Sequence, residues 1–227
     1  MTWDEPEGLA PRGTLIVLAG RGEQAEVYER FGRRLAADAY RVRAVADGDL
    51  ETTTAAVKEI AAGAVSPKVL VGSDTGALRA LWLRATGTVA ADVLVLAGLP
   101  APGREAPRSW ENELNQRTSC PTHQAWISDR GRLTRGALTD ARIPAELREI
   151  DLSAVRVPVL GVHGAADLIS PFHAVRARYA QLPNAQLISI EGGKHDALND
   201  ATHRTAAARI VLFLEELRGD RSHLEAG

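Results

Sequence analysis

A chain of 227 residues, 45% of them hydrophobic, is globular in composition and long enough to bury roughly 70% of its unfolded surface. Its 27 basic and 29 acidic residues leave a net charge of −2, and the basic residues are scattered, which argues against nucleic acid or an anionic membrane as a partner. Cys120 is the single cysteine, so no intrachain disulfide can form, in keeping with a reducing cytoplasm. Residues 2–7 are acidic and polar rather than signal-like, and no apolar run approaches the ~20 residues of a membrane span.

In chain order, residues 1–12 hold two prolines and read as a loose lead-in. Residues 14–19 are a continuous apolar run ending in Gly20-Arg21-Gly22-Glu23, the pattern of a fully buried parallel strand followed by a tight turn. From 23 to 38, Val27, Phe31 and Leu35 recur between Arg and Glu residues, an amphipathic helix. Glu23 is placed to serve as a carboxylate at its N-terminus. Residues 40–45 alternate and predict an edge or near-edge strand, and 51–63 a helix capped by Asp49.

The central stretch is Val69-Leu70-Val71-Gly72-Ser73-Asp74-Thr75-Gly76-Ala77, a strand, a glycine-bracketed turn and the start of a helix over 75–84. The two glycines bracket the turn residue as they do in a nucleophile elbow, and here they centre on Asp74. Residues 92–97 are another buried strand. From Pro100 to Pro144 the chain turns polar, with short helices expected near 109–117 and 122–129, and we expect a small cap over about 101–144. The core pattern resumes with a helix at 144–149, a strand over 157–163, a helix over 171–181, a strand over 186–190 and a closing helix marked by Ala206, Ala207, Ile210, Val211, Leu214 and Leu217. Strands alternating with helices imply right-handed βαβ units and a parallel sheet, with reactive residues beyond the carboxyl ends of the strands.

Five stretches carry a family resemblance. They are 20–23 with Tyr28, Glu29 and Arg30; 35–42; the elbow; 157–167, which ends Val162-His163-Gly164-Ala165-Ala166-Asp167; and Gly192-Gly193-Lys194-His195-Asp196. Together they resemble the α/β-hydrolase superfamily, most nearly its monoacylglycerol lipase and lysophospholipase branch, over nearly the whole chain outside the cap. The resemblance implies a single α/β domain over 1–227. It would be a doubly wound three-layer sandwich of about six mostly parallel strands with a small cap insertion. It also implies a triad of Asp74, His195 and Asp167, an oxyanion hole from the Arg21 and Thr75 amides, an elbow framed by Gly72, Ser73 and Gly76, and no metal or organic cofactor. Gly20, Trp110, His123 and Trp126 are candidate substrate contacts. His163 reads as structural, and Arg21 as contributing its amide, with an anion-binding side chain as the alternative.

Two positions depart from the family pattern. Ala19 stands where a His usually precedes the oxyanion glycine, and Asp74 stands where Ser is usual. A carboxylate is already ionised at neutral pH and attacks carbon by displacement, giving an alkyl ester that His195 and water would hydrolyse. That logic suits epoxides and carbon–halogen bonds on a small apolar metabolite. It suits carboxylic esters poorly, because carboxylate attack on an acyl carbon gives an anhydride. The superfamily's dehalogenases place Trp after the nucleophile, whereas this chain has Thr75; its epoxide hydrolases use cap tyrosines, and no Tyr lies between Pro100 and Ile150. Two alternatives stay open. One is a serine-type esterase, thioesterase or lysophospholipase-like enzyme using Ser73. The other is a non-hydrolytic isomerase, lyase or cyclase, or a ligand-binding protein, on the same fold. The substrate and the oligomeric state are not legible.

Overall fold

The computed structural model describes residues 1–101, 106–129, 131–140 and 143–219. Parts of the expected cap, 102–105, 130, 141 and 142, therefore lie outside the described residues. A seven-stranded sheet runs in the order β1-β3-β2-β4-β5-β6-β7, from β1 (Thr2–Trp3), β2 (Thr14–Leu18), β3 (Arg41–Val45), β4 (Lys68–Ser73), β5 (Val93–Ala97), β6 (Val159–Gly164) and β7 (Ala185–Ile190). The last six pair in parallel and are the six strands expected. The seventh corrects the reading of residues 1–12 as a loose lead-in: Thr2 and Trp3 pair antiparallel with Arg43 and Val42 of β3. The Trp3 ring lies so close to α1 that a Cβ on Gly32 would stand 2.3 Å from it.

Strand side chains alternate between faces, so continuous apolar runs feed two cores. Leu15, Val17, Val69, Val71, Val93 and Val95 meet α1 (Glu29–Ala37) and α8 (His203–Gly219) on one side. Ile16, Leu18, Leu70, Leu94 and Leu96 meet α2 (Leu50–Ala62), α3 (Thr75–Ala85) and α7 (Phe172–Tyr179) on the other. A short 3₁₀ turn, Ala25–Tyr28, precedes α1, so that helix begins later than its periodicity suggests. Similarly, the helix expected at 144–149 is a 3₁₀ turn, Ala145–Leu147, with Pro144 at its N-cap.

Between β5 and β6 the chain leaves the sheet through α4 (Trp110–Arg117), α5 (Pro121–Ser128) and α6 (Ala137–Asp140). Ser109 caps α4 by accepting from the Asn112 amide at 3.1 Å. No helix among the described residues is long and apolar enough to cross a membrane.

Candidate active site

The elbow is built by close approach. A Cβ on Gly72 would stand 2.4 Å from the backbone of Ala77, and one on Gly76 only 2.0 Å from the Leu18 carbonyl oxygen. Without those glycines α3 could not begin so tightly against β4 and β2. The chain turns at Asp74, whose backbone adopts φ 48° and ψ −121°, a strained conformation for a residue other than glycine. Asp74 is thus the apex residue. Ser73 is the last residue of β4, buried, with its side chain beside the Tyr28 hydroxyl.

Asp74, His195 and Asp167 come together from the ends of β4, β7 and β6. His195 Nδ1 lies 2.8 Å from Asp167 Oδ2, and His195 Nε2 lies 3.4 Å from Asp74 Oδ1. The second contact is an ion pair without hydrogen-bond alignment. Asp167 Oδ1 accepts from the Ile169 and Ser170 amides, and Asp167 Oδ2 lies 3.2 Å from His163 Nε2. His163 also reaches the Ser170 carbonyl at 2.7 Å, so it holds the acid loop in place. Gly164 packs the acid loop against the histidine loop, where a Cβ would stand 2.3 Å from the Gly193 carbonyl oxygen.

Arg21 contributes more than the expected amide: its side chain binds an anion, the alternative left open, and the anion is the Asp74 carboxylate. Its Nε lies 2.7 Å from Asp74 Oδ2, its Nη2 2.8 Å from Oδ1, and its amide donates to Oδ2 at 3.0 Å. Both partners are buried, Arg21 at 3% exposure and Asp74 at 1%. The carboxylate is thus clamped by a bidentate guanidinium and by the Arg21 amide. Gly20 sits against it, with a Cβ position 3.0 Å from Asp74 Cβ. Thr75 is the first residue of α3, where helix amides lack intrahelical acceptors, and its buried Oγ1 has no hydrogen-bond partner.

These contacts fix the charge states. Burial works against the Asp74 carboxylate, but Arg21 and His195 outweigh it and hold its pKa well below the usual carboxylate range. For His195, burial opposes protonation, yet the Asp167 and Asp74 carboxylates raise its pKa to about 10. These shifts favour a carboxylate at Asp74 and a protonated His195 between two carboxylates, with Arg21 as counter-ion.

A second buried cluster abuts the first and was not anticipated. Arg117, at 0% exposure, pairs with Glu23 at 3.0 Å, with Glu113 at 3.1 Å and with Asp196 at 3.6 Å. Its Nη2 also donates to the Arg21 carbonyl at 3.0 Å. Through its backbone, the end of α4 holds the histidine loop: the Asp196 amide donates to the Arg117 carbonyl at 2.8 Å. Glu23 is thus no helix-terminal carboxylate. It accepts from the Gly20 amide at 2.8 Å and from the Tyr28 hydroxyl at 2.5 Å. Burial, with Asp196 nearby, pushes its carboxyl up to about 7 against the pull of Arg117.

The candidate substrate contacts in α4 and α5 have partners of their own. Trp110 packs against the core with Arg135 stacked over its ring at 4.9 Å. Trp126 donates to the Glu26 carbonyl at 3.1 Å and lies under Arg132 at 3.4 Å. Buried His123 meets Asp196 at 3.3 Å, and with Trp126 it lines a cavity beside α1 whose walls include none of the triad.

No protein-family model matches the chain, and no curated protein matches it in sequence. Solved structures do. A monoacylglycerol lipase from Paleococcus ferrophilus superposes with a TM-score of 0.73 at 16% identity, over 94% of this chain and 96% of that one. A soluble variant of the Saccharomyces cerevisiae monoglyceride lipase, bound to a substrate analogue, gives 0.76 at 14% identity, over 95% and 90%. The enol-lactonase from Burkholderia xenovorans gives 0.69 at 17% identity, over 95% of each. With the sheet order above, these likenesses establish that the chain has the α/β-hydrolase fold.

Proposed function

We propose that the protein is a hydrolase of small apolar metabolites, with Asp74 as a carboxylate nucleophile, His195 as base and Asp167 as supporting acid. In this reading α4 to α6 form the cap over its pocket, and the epoxide and alkyl halide classes are the substrates. One observation carries the reading. The Asp74 carboxylate stands at the elbow apex with Oδ2 held by the Arg21 amide and Nε, and Oδ1 between Arg21 Nη2 and His195 Nε2.

Oδ1 attacks a saturated carbon, and a C–O bond forms as the bond to the leaving group breaks. A halide departs as the anion; an epoxide oxygen takes a proton, for which the His195 imidazolium is the acid at the site. Esterification removes the Asp74 charge that helps keep His195 protonated; after halide displacement the imidazolium loses its proton to solvent, and after epoxide opening it has already given it to the ring oxygen, so the neutral base is formed either way. It then takes a proton from water, and the hydroxide adds to Asp74 Cγ. Negative charge builds on Oδ2, where the Arg21 amide and Nε already lie. Collapse releases the alkoxide, which takes that proton from His195, and leaves a carboxyl group with one oxygen from water; its remaining proton passes to His195, which restores the carboxylate and the imidazolium.

Replacing the base stalls this sequence at the ester. A His195→Gln variant incubated with a panel of alkyl bromides, whose displacement needs no acid, should gain the mass of the alkyl group on the peptide containing Asp74. An adduct on Ser73, or none with any member of the panel, would count against the proposal. The serine alternative draws little support from the fold, because Ser73 lies on the strand beside Tyr28 rather than at the apex.

The Arg21 clamp favours one second reading. A carboxylate engaged on both oxygens is a weaker nucleophile, and a ligand-binding protein that keeps the fold without turnover would have no need to release it. Saturable ligand binding by an Asp74→Asn variant, with no adduct in the histidine variant, would favour that reading.

A further inference from the structure

The two edges of the sheet are built differently. At one edge, β1 has two residues and runs at once into Asp4, Glu5 and Pro6, with Asp4 and Glu5 paired to Arg43 and Arg41 of β3. Shortness, charge and proline keep an edge from pairing further. At the other edge, β7 has six residues, Ala185-Gln186-Leu187-Ile188-Ser189-Ile190, with no charge, no proline and an unbroken register against β6. The Asn184 and Ile190 carbonyls accept from the Val159 and Ala165 amides, each at 2.9 Å, so the even-numbered residues turn their backbone toward β6. Ala185, Leu187 and Ser189 therefore turn theirs outward, and among the described residues no strand meets them.

We propose that β7 is the interface of a homodimer, in which two copies pair this strand antiparallel across a two-fold axis at Leu187 and join their sheets. An axis perpendicular to the sheet sets Leu187 against its symmetry mate and Ala185 against Ser189, so all three outward residues exchange N–H···O bonds. An uncharged strand brings no like charges together there. Its ends, by contrast, are complementary. Asn184 donates to the Arg156 carbonyl at 2.6 Å, so exposed Arg156 stands beside the start of β7, while exposed Glu191 follows its end. Antiparallel pairing brings each Glu191 toward the Arg156 of the other copy. Leu187 and Ile188 are half-buried, one against the α7 side and one against the α8 side, and the added strand extends the cover on both. Because β1 offers no such edge, the assembly closes at two copies. The dimer does not depend on the chemistry proposed for Asp74.

Sedimentation velocity of the full chain at about 100 μM should give the mass of two chains. Ser189→Pro removes an outward donor at an exposed side chain and leaves the bonds to β6 in place. It should raise the dissociation constant at least about tenfold, with an unchanged circular dichroism spectrum. Glu191→Arg should also weaken the dimer, and adding Arg156→Glu should restore it. Hydrogen exchange at the 185, 187 and 189 amides should slow as the native chain is concentrated. A monomer at about 100 μM would overturn the proposal. So would a dimer that Ser189→Pro and Glu191→Arg leave intact, or one whose newly protected amides lie away from β7.

Discussion

Arg21 decides the charge of the candidate site. Its guanidinium and the Asp74 carboxylate are buried together, so removing either strands the other. Arg21→Leu should therefore lower stability by about 3–5 kcal/mol in denaturant titrations, while the Arg21→Leu, Asp74→Leu double variant recovers much of that loss. His195 gives a pH signature of opposite sign to the aspartates. Its folded pKa is raised to about 10, so its contribution is whole below the unfolded value of about 6.5 and fades as pH rises through 10. Asp74 is depressed, so its contribution is present above the usual carboxylate pKa and fades in acid. Unfolding free energies measured from pH 6 to 10 should decline more steeply for the native chain than for His195→Gln. The identities of Asp74, Asp167 and His195 as neighbours were legible because each follows a strand in register with glycine-marked turns. The Arg21 clamp was not, since residue spacing locates a backbone amide but not the direction of a long side chain. Glu23 misled for a related reason: a carboxylate near a helix start looks solvated until a buried arginine from a distant element meets it.

Among the elements, α3 and α4 carry most of the site's geometry. The elbow was readable because tight packing demands glycine, and the same packing makes Gly76→Ala severe. Its new Cβ would overlap the Leu18 carbonyl oxygen, so the variant should lose cooperative folding in thermal melts. Helix α4 was readable in position but not in burial. Glu113 and Arg117 stand four apart, the spacing of an ordinary surface pair, yet both are buried. Their weak apolar pattern hides a face that docks through charge onto the loop after β2 and the histidine loop. Arg117→Met leaves Glu23, Glu113 and Asp196 without their shared cation. Stability should fall by about 3–5 kcal/mol at pH 8 and by less at pH 5, where the freed carboxyls take up protons. Equal losses at the two pH values would show that Arg117 acts by packing alone.

At the scale of the molecule, the two-faced sheet was legible because its strands are continuous apolar runs serving both cores. A two-residue strand is too short to show a period, so the seventh strand was hidden in a segment rich in acid and proline. Trp3 anchors it against Gly32, and Trp3→Ala should destabilise the chain by about 2 kcal/mol while leaving the parallel strands intact. The same fold serves lipases and a lactonase among the similar structures, so the fold alone does not select the chemistry proposed here. Isotope transfer reads that residue directly. In a single turnover of a reactive epoxide or alkyl bromide in ¹⁸O water, with enzyme in excess, the account predicts one heavy oxygen in the side chain of Asp74 and unlabelled oxygen in the newly formed C–O bond. Heavy oxygen in the product, with none in the Asp74 peptide, would mean that water attacks the substrate directly and that Asp74 is not the nucleophile.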